Sequence, residues 1–486
     1  MRLQRRKRCF AAAVTAAILL LSGCGGSFSG AESKTEDVNP NLEKEVRSVK
    51  LDPDDPVDIT LWHYYNGVQQ QEMKELAEVF NSTVGADEGI FVHVISQGST
   101  DNLMEQLSDS MAGKVGAKER PDMFSAYADN AYDWDCQGKL VDLSVYFSED
   151  ELSEYIEEYV KSGYFNGGLK LFPVAKSTEV FALNKTDWDV FAKETGAKTD
   201  DLATWEGIAK TAGKYYDWSG GKAFFGRDAV ANYIFTGSAQ LGKKICTVDE
   251  KGQVVYQMDK KVFRKLWDNY YVPYIHGYYT SEGKFRSDDA KTGTILGCVA
   301  SSSSVGYFPN EVSDEDGNTR PIEAEIYPAP NFEGSSNMAV SQGAGIAVFK
   351  GEEKREYACV RFLKWFTDVE QNVDFSHNSG YLPVKKEAQQ PEQFTINNEN
   401  DIMAKALKTT LAMAKDYEYY ETPVFDGAYD MRSKIGYAME DKAKEDRKEI
   451  HRLEVEGLPH EEAVARFDTD ENFEAWFAKL CENINN

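Results

Sequence analysis

Between residues 57 and 96 the spacing of the apolar side chains changes twice. Val57, Ile59 and Leu61 alternate with their neighbours, the two-residue period of a strand. From Gln69 onward Met73, Leu76, Ala77 and Phe80 follow at helical spacing, and IFVHVIS (90–96) is a strand again. A strand, a helix and a second strand in so short a span lay the two strands parallel, with the helix crossing one face. The expectation is an α/β fold built on a parallel sheet covered by helices.

The alternation continues down the chain. RPDMFSAYADN (120–130) reads as a strand running into a loop, and KLFPVAKSTEVFALNK (170–185) carries strand-like apolar runs. Thr204 is the natural N-cap of an amphipathic helix that begins with Trp205 and Glu206. SDEDGN (313–318) is a surface turn, and GAGIAVFK (343–350) is an apolar strand. The helix after that strand places Ala358, Phe362, Trp365 and Phe366 on one face. From about Asp401 the pattern is mostly helical, and the mixed charges of 439–466 form a solvated face. There is no internal repeat. At 486 residues the chain exceeds what one hydrophobic core usually serves, so two lobes are expected.

The N-terminus carries a separate message. Arg2, Arg5, Arg6, Lys7 and Arg8 precede an apolar run over 10–21, too short to span a bilayer. A basic start, a short apolar stretch and small residues before a cut site make a secretory signal. Leu21-Ser22-Gly23-Cys24 resembles the bacterial lipobox, which implies that 1–23 is a cleaved signal peptide and that Cys24 is lipidated. Residues 24–55, Gly/Ser-rich and then charged, read as a flexible linker from lipid to globule. The expected location is extracytoplasmic, lipid-anchored at the cell membrane.

Several chemistries are excluded or unsupported. The formal charge is −27 and no basic run occurs beyond the first eight residues, so nucleic acid is not a partner. His460-Glu461 begins a metalloprotease motif, but Val464 stands where its second His belongs. GSAQLGKK (237–244) has phosphate-loop glycines, but Lys244 replaces the required Ser or Thr. Asp314 and Asp316 before Gly317 hint at a calcium loop that Val312 breaks. Six histidines without ligand spacing leave no metal centre, and no cofactor or catalytic residue is assigned. After cleavage before Cys24, five cysteines remain besides it, Cys136, Cys246, Cys298, Cys359 and Cys481, scattered and odd in number, which suits buried thiols better than disulfides.

What does cluster is aromatic and small polar. HYYNG (63–67), QGST (97–100) and AYADN (126–130) each follow a strand, and ligands of open α/β sheets sit at the carboxyl ends of strands. Tyrosine offers a flat apolar face and a polar edge, which suits sugar rings and their hydroxyls. For any one of the 26 tyrosines, partial burial in a core is the commoner role; several at consecutive strand ends point to a site. KSTE (176–179) and SSSS (301–304) add hydroxyls. In HNSGYLPVKK (377–386), Gly380 and Pro383 stiffen the backbone on either side of Tyr381, an unusual use of a large aromatic in a connector.

The order of ITLWHYYNG, PDMF, GKLVDLS, FPVAKSTEVFALNK, TWEGIAK, GAGIAVFK, FLKWFTDVEQNVDF and SGYLPVKKEA resembles the family 1 extracellular solute-binding proteins of bacterial ABC importers, the maltose- and glycerol-phosphate-binding group. The resemblance covers 57–480 and implies a two-lobed periplasmic-binding-protein-like fold of type II with an interlobe ligand cleft. It implies three chain crossings, placed near 176–182, 330–340 and 386–395. One lobe would comprise 56–176 plus 338–388, the other 177–337 plus 389–486. Carried over residue by residue, the cleft positions are His63, Tyr64, Tyr65, Asn66, Ser99, Tyr127, Ser177, Thr178, Ser302, Ser303, Gly343 and Tyr381, with Asp228, Asn232 and Tyr429 from the second lobe. In the glycerol-phosphate branch an acid follows the tyrosine matching Tyr127, and here Ala128 stands there. That branch also uses an Arg near FDGAYDMR (425–432), where Tyr429 sits, with Arg432 or Arg227 as possible substitutes. A neutral sugar or oligosaccharide therefore leads over a glycerol phosphate. The implied protein is a monomer and not an enzyme; it captures solute by lobe closure and hands it to the transmembrane subunits of an ABC permease. A secreted glycan hydrolase is the alternative of another class.

Overall fold

Runs with apolar residues of both parities, such as Met123–Ala126 and Glu179–Asn184, become strands buried on both faces, whereas the alternating Ile90–Ser96 keeps one face exposed. The strands that build the two main sheets and the crossings are β1 (Val57–His63), β2 (Ile90–Ser96), β3 (Met123–Ala126), β4 (Phe172–Pro173), β5 (Glu179–Asn184), β6 (Phe225–Arg227), β7 (Gly297–Ser301), β8 (Ala324–Pro328), β9 (Met338–Val340), β10 (Gly345–Val348) and β11 (Glu418–Tyr420); the other strands form short two-stranded pairs. The helices that position the site are α1 (Gly67–Ser82), α2 (Thr100–Met111), α3 (Ala128–Cys136), α4 (Trp205–Ser219), α5 (Val230–Gln240), α6 (Lys260–Ile275), α7 (Glu353–Phe366), α8 (Val369–Ser379), α9 (Ile402–Asp416) and α10 (Ala428–Val455). This is a computed structural model describing residues 46–249, 253–313, 317–394, 398 and 401–485, with Arg47–Asn486 as one unit. The signal segment 1–23, Cys24, the linker up to residue 45 and residues 314–316 of the predicted turn lie outside the described residues.

Two sheets organise the chain. The first has the order β2-β1-β3-β10-β4, and the second β8-β5-β7-β6. β1 is parallel to β2 from Val57 opposite Ile90 to His63 opposite Ser96, and parallel to β3 at Leu61 and Trp62. β10 enters antiparallel to β3, and in the second sheet β5 runs antiparallel to both β7 and β8. Both sheets are thus mixed, where a parallel sheet was expected. The first-sheet strand added last arrives from the other sheet, so no helical crossover sets its direction.

Each sheet is covered on both sides. Ile59 and Leu61 face Phe362, Phe366 and Phe375 of α7 and α8, while Trp62 and Phe124 face Leu103 and Leu107 of α2 on the opposite side. In the second sheet Phe181, Leu183 and Val299 pack with Trp205, Ile234 and Trp267, while Val180, Ala182 and Cys298 pack with Ile326, Ala406 and Met413. Burying each such large side chain contributes roughly 1.5–3 kcal/mol. The predicted face of α7 is all buried, and Thr204 caps α4 by accepting from the Gly207 N–H at 3.1 Å. After β3 the chain enters α3, where a loop was read: Tyr127 serves as the extended N-cap residue, and helix starts at Ala128. Cys246, Cys298 and Cys359 are buried as expected, but Cys136 is exposed and Cys481 half-buried. Among the described residues no helix is long and apolar enough to cross a membrane, and none of their His, Cys, Asp and Glu gather into a group that could hold a metal ion.

The chain passes between sheets at 174–178, at 329–344 and beyond Lys386 before α9, which packs on β8. These passages are bonded to one another. Lys176 exchanges backbone hydrogen bonds with Leu382, and Ser177 exchanges a pair with Gln342, both at 2.8 Å. Gly343 makes the second contact possible: its φ is +101°, and a Cβ there would lie 2.5 Å from the Ala175 carbonyl oxygen. Gly343→Ala should therefore lower stability by about 2 kcal/mol or more, read as a denaturant midpoint shift. A variant within about 0.5 kcal/mol of the parent would show that the crossing tolerates a side chain here.

Candidate functional site

Strand ends and helix starts from both sheets converge near the crossings. β1 ends in His63 and leads through Tyr64, Tyr65 and Asn66 into α1; β3 leads through Tyr127 into α3. The Tyr64 and Tyr127 rings stack with centroids 6.2 Å apart, and the Tyr64 hydroxyl lies 3.2 Å from that of Tyr381. From the second lobe, Tyr307 donates to Asn66 Oδ1 at 3.4 Å, and Gln69 Nε2 of α1 donates to the Ser303 carbonyl at 3.0 Å. Tyr429 at the start of α10 lies in the field of Asp101 and Asp129, the latter in α3. Tyr127, Tyr307 and Tyr429 are 39%, 56% and 46% exposed, so their faces are open to a ligand.

Not every predicted position joins this group. Tyr65 is in the first-lobe core against Phe375 and Tyr381. His63 is buried too, and desolvation lowers its pKa to about 4, so it is a neutral core side chain. Thr178 and Ser302 spend their hydroxyls on the Val340 and Gly380 carbonyls, and Ser177 is buried in the crossing, so these three stitch the chain passages together. Gly343 serves the same crossing through its backbone. Ser99 caps α2 by accepting from the Asn102 N–H. Asp228 receives the Arg286 backbone N–H at 3.3 Å and its guanidinium at 3.4 Å, and Asn232 is buried against Glu179. The positions left facing one another are Tyr64, Asn66, Tyr127, Ser303, Tyr429 and the hydroxyl of Tyr381.

Tyr381 differs most from its expectation. Its ring is 4% exposed and packs on Tyr65 and Phe375; only its hydroxyl reaches Tyr64. Gly380 explains the geometry. It ends α8 at φ +72°, and a Cβ would sit 2.6 Å from the Ser302 carbonyl oxygen, so the turn must press the following ring into the core.

Asp129, Tyr307, Gln69 and Glu179 were missed as site residues, and Arg432 was named only as a substitute partner for a phosphate. Asp129 lies one residue beyond the position where an acid was sought, and Tyr307 lies three residues beyond the serine run. Burial raises the Asp129 carboxyl above its ordinary range, with the Asn130 N–H and Arg432 acting in the opposite direction. Burial likewise raises the Tyr64, Tyr127 and Tyr381 phenols, so at neutral pH each is an uncharged donor and acceptor. Cavities of about 1210 and 830 Å³ lie elsewhere and contain none of the predicted positions. The convergence of aromatic and polar groups, rather than an enclosed volume, distinguishes the candidate site.

A family model of bacterial extracellular solute-binding proteins matches residues 75–404. The chain belongs to that family. Among curated proteins none matches by sequence. Solved structures similar to this solute-binding protein include UgpB of Mycobacterium tuberculosis in complex with glycerophosphocholine, with a TM-score of 0.64 and 17% identity over 88% of this chain and 99% of that one. Lmo0181 of Listeria monocytogenes in complex with cycloalternan has a TM-score of 0.64 and 16% identity over 89% and 100%. The cyclic alpha-maltosyl-1,6-maltose binding protein of Arthrobacter globiformis has a TM-score of 0.62 and 16% identity over 88% and 100%. The fold is the two-lobed one of these extracellular proteins.

The burial of Tyr381 separates two substitutions in this solute-binding protein. Tyr381→Ala should cost about 3–5 kcal/mol by opening a core cavity. Tyr381→Phe, which loses only the contact with Tyr64, should cost under about 1.5 kcal/mol. Chemical denaturation of both distinguishes them, and an alanine variant as stable as the parent would place the ring outside the core.

Proposed function

We propose that this solute-binding protein captures a sugar or oligosaccharide between its lobes, breaks no bond, and delivers it to an ABC permease. The supporting observation is the set of tyrosines from both lobes, Tyr64, Tyr127, Tyr307 and Tyr429, grouped with Asn66, Asp129 and Arg432. Rings stack on the C–H faces of a sugar, while carboxyl, amide and guanidinium groups meet its hydroxyls. Contacts from both walls are complete only when the lobes close, so ligand shifts the population toward the closed form. Cycloalternan in the Listeria relative and maltotriose in a Thermus thermophilus one support this class.

Glycerophosphocholine in the Mycobacterium relative supports a second reading, to which Arg432 contributes an available cation for phosphate. The lobes of this reading are 56–176 plus 338–388 and 177–337 plus 389–486. The packing of Ala339 with Val180 and Ala182 favours moving the second boundary a few residues beyond 338. The mature protein works as a monomer, anchored through lipidated Cys24.

Calorimetry with maltotriose, mannotriose, cycloalternan and glycerophosphocholine tests the function. Stoichiometric binding of one saccharide is expected, weakened about tenfold or more by Tyr127→Ala or Tyr429→Ala. Tighter binding of glycerophosphocholine would establish the second reading, and cleavage of an oligosaccharide would replace both with a hydrolase. For the anchor, mass spectrometry of protein extracted from membranes should show a diacylglyceryl group on an N-terminal Cys24. An unmodified, freely soluble chain would refute it.

A further inference from the structure

Arg432 stands out among the charged groups at the cleft because of what holds it. Its Nη2 donates to Asn232 Oδ1 in α5. Among the described residues no carboxylate lies within ion-pair distance of its guanidinium. Tyr127 and Asp129 on the opposite wall both lie within its field. Asn232 in turn donates from Nδ2 to Glu179 Oε1 at 2.8 Å. Glu179 accepts from Arg227 Nη2 at 2.7 Å through both oxygens. Arg227 is itself fixed by its Nε–H bond to the Asp228 carbonyl at 3.0 Å and by the Trp205 and Tyr233 rings, at 5.4 and 5.5 Å. Glu179, Arg227 and Asn232 are all buried.

The polarity of this chain is forced. A carboxylate only accepts hydrogen bonds, so the Asn232 amide must turn its NH2 toward Glu179. Its carbonyl oxygen then faces the other way, where it accepts from Arg432. With a neutral amide in place of Glu179, either orientation of Asn232 would be open, and one of them would set two donors against each other. The Arg227–Glu179 pair is buried at the beginning of β5 and the end of β6, next to the crossing, and has few degrees of freedom. A buried pair of this kind contributes little net stability, and its best-attested use is to specify one arrangement.

We propose that Arg227, Glu179 and Asn232 are positioning residues that hold the Arg432 guanidinium on the second-lobe wall of the cleft, leaving its remaining N–H groups for oxygen atoms of the solute. This rests on the solute-binding reading and deepens it. The favoured solutes present hydroxyl, carboxylate or phosphate oxygens at that wall, and cationic groups are disfavoured there. Asn232, read from sequence as a cleft residue, acts through Arg432 instead.

The test needs no solute, so its failure is distinct from failure of the solute-binding reading. The Asp129 carboxyl of the full mature chain is titrated by carbon NMR, with its signal assigned from Asp129→Asn. Arg432→Met removes an opposing charge, so the Asp129 pKa should shift upward. Asn232→Ala releases Arg432 and should shift it the same way. In the Arg432→Met background, Asn232→Ala should add nothing, because the amide acts only through the guanidinium. An unchanged Asp129 in Asn232→Ala, or an equal shift with and without Arg432, would overturn the proposal. If Asn232→Ala fails to fold, Asn232→Ser enters the same cycle with the same two outcomes.

Discussion

The structure turns on a short stretch of main chain, Lys176 to Thr178, that is hydrogen-bonded on both sides. Leu382 pairs with Lys176, Gln342 pairs with Ser177, and the Thr178 carbonyl accepts from the Ser302 N–H at 2.7 Å. Backbone groups buried in such a passage must all find partners, since each unpaired one costs about 1–3 kcal/mol. The hydroxyls of Thr178 and Ser302 reinforce the passage, and Gly343 and Gly380 supply positive-φ turns where a Cβ would strike a carbonyl oxygen. A joint so thoroughly bonded fixes where the strands of the two sheets end. It thereby fixes which residues can face each other beside it.

The site inherits its composition from that placement. Tyr64 and Tyr127 stand just beyond the carboxyl ends of β1 and β3, while Arg227 and Ser301 close β6 and β7 next to Glu179 at the start of antiparallel β5. Loops leaving these ends are free to carry large side chains, because the sheets beneath them are filled from both faces. Partial desolvation keeps the tyrosine hydroxyls uncharged and raises the Asp129 carboxyl. A wall of neutral phenols suits a polyhydroxyl ligand, because it offers hydrogen bonds without the desolvation cost of burying several charges.

Much of this was legible in the sequence, and the failures have a common cause. The two periods of 57–96, the buried face of α7 and the Thr204 cap are local, so spacing and side-chain chemistry determine them. Strand direction in the first sheet was not legible, because β10 returns from the other sheet and nothing local records its sense. Among the candidate site residues, the clusters do stand at strand ends as the spacing implied, but which member faces its neighbours there depends on distant packing. His63, Tyr64 and Tyr65 are consecutive, yet of the three it is the Tyr64 ring that stacks on Tyr127. Tyr381 shows the same limit: Gly380 ends the helix before it, but the direction the turn takes is set by Ser302, 78 residues from Gly380, whose hydroxyl bonds the Gly380 carbonyl and whose own carbonyl leaves no room for a Cβ there.

Charge makes the same point in a different currency. The chain has 81 acidic and 54 basic residues, so a cation is seldom far from a carboxylate. Arg355 meets Asp122, Arg361 meets Glu88 and Arg286 meets Asp289, the usual arrangement for such a composition. Arg432 is set apart from this pattern by an amide, itself oriented by Glu179, whose own charge is already taken up by Arg227. A neutral spacer between a buried ion pair and a half-buried guanidinium leaves the latter's charge directed at the cleft. No local sequence feature records that arrangement, since residues 179, 227, 232 and 432 meet only when β5, β6, α5 and α10 are assembled.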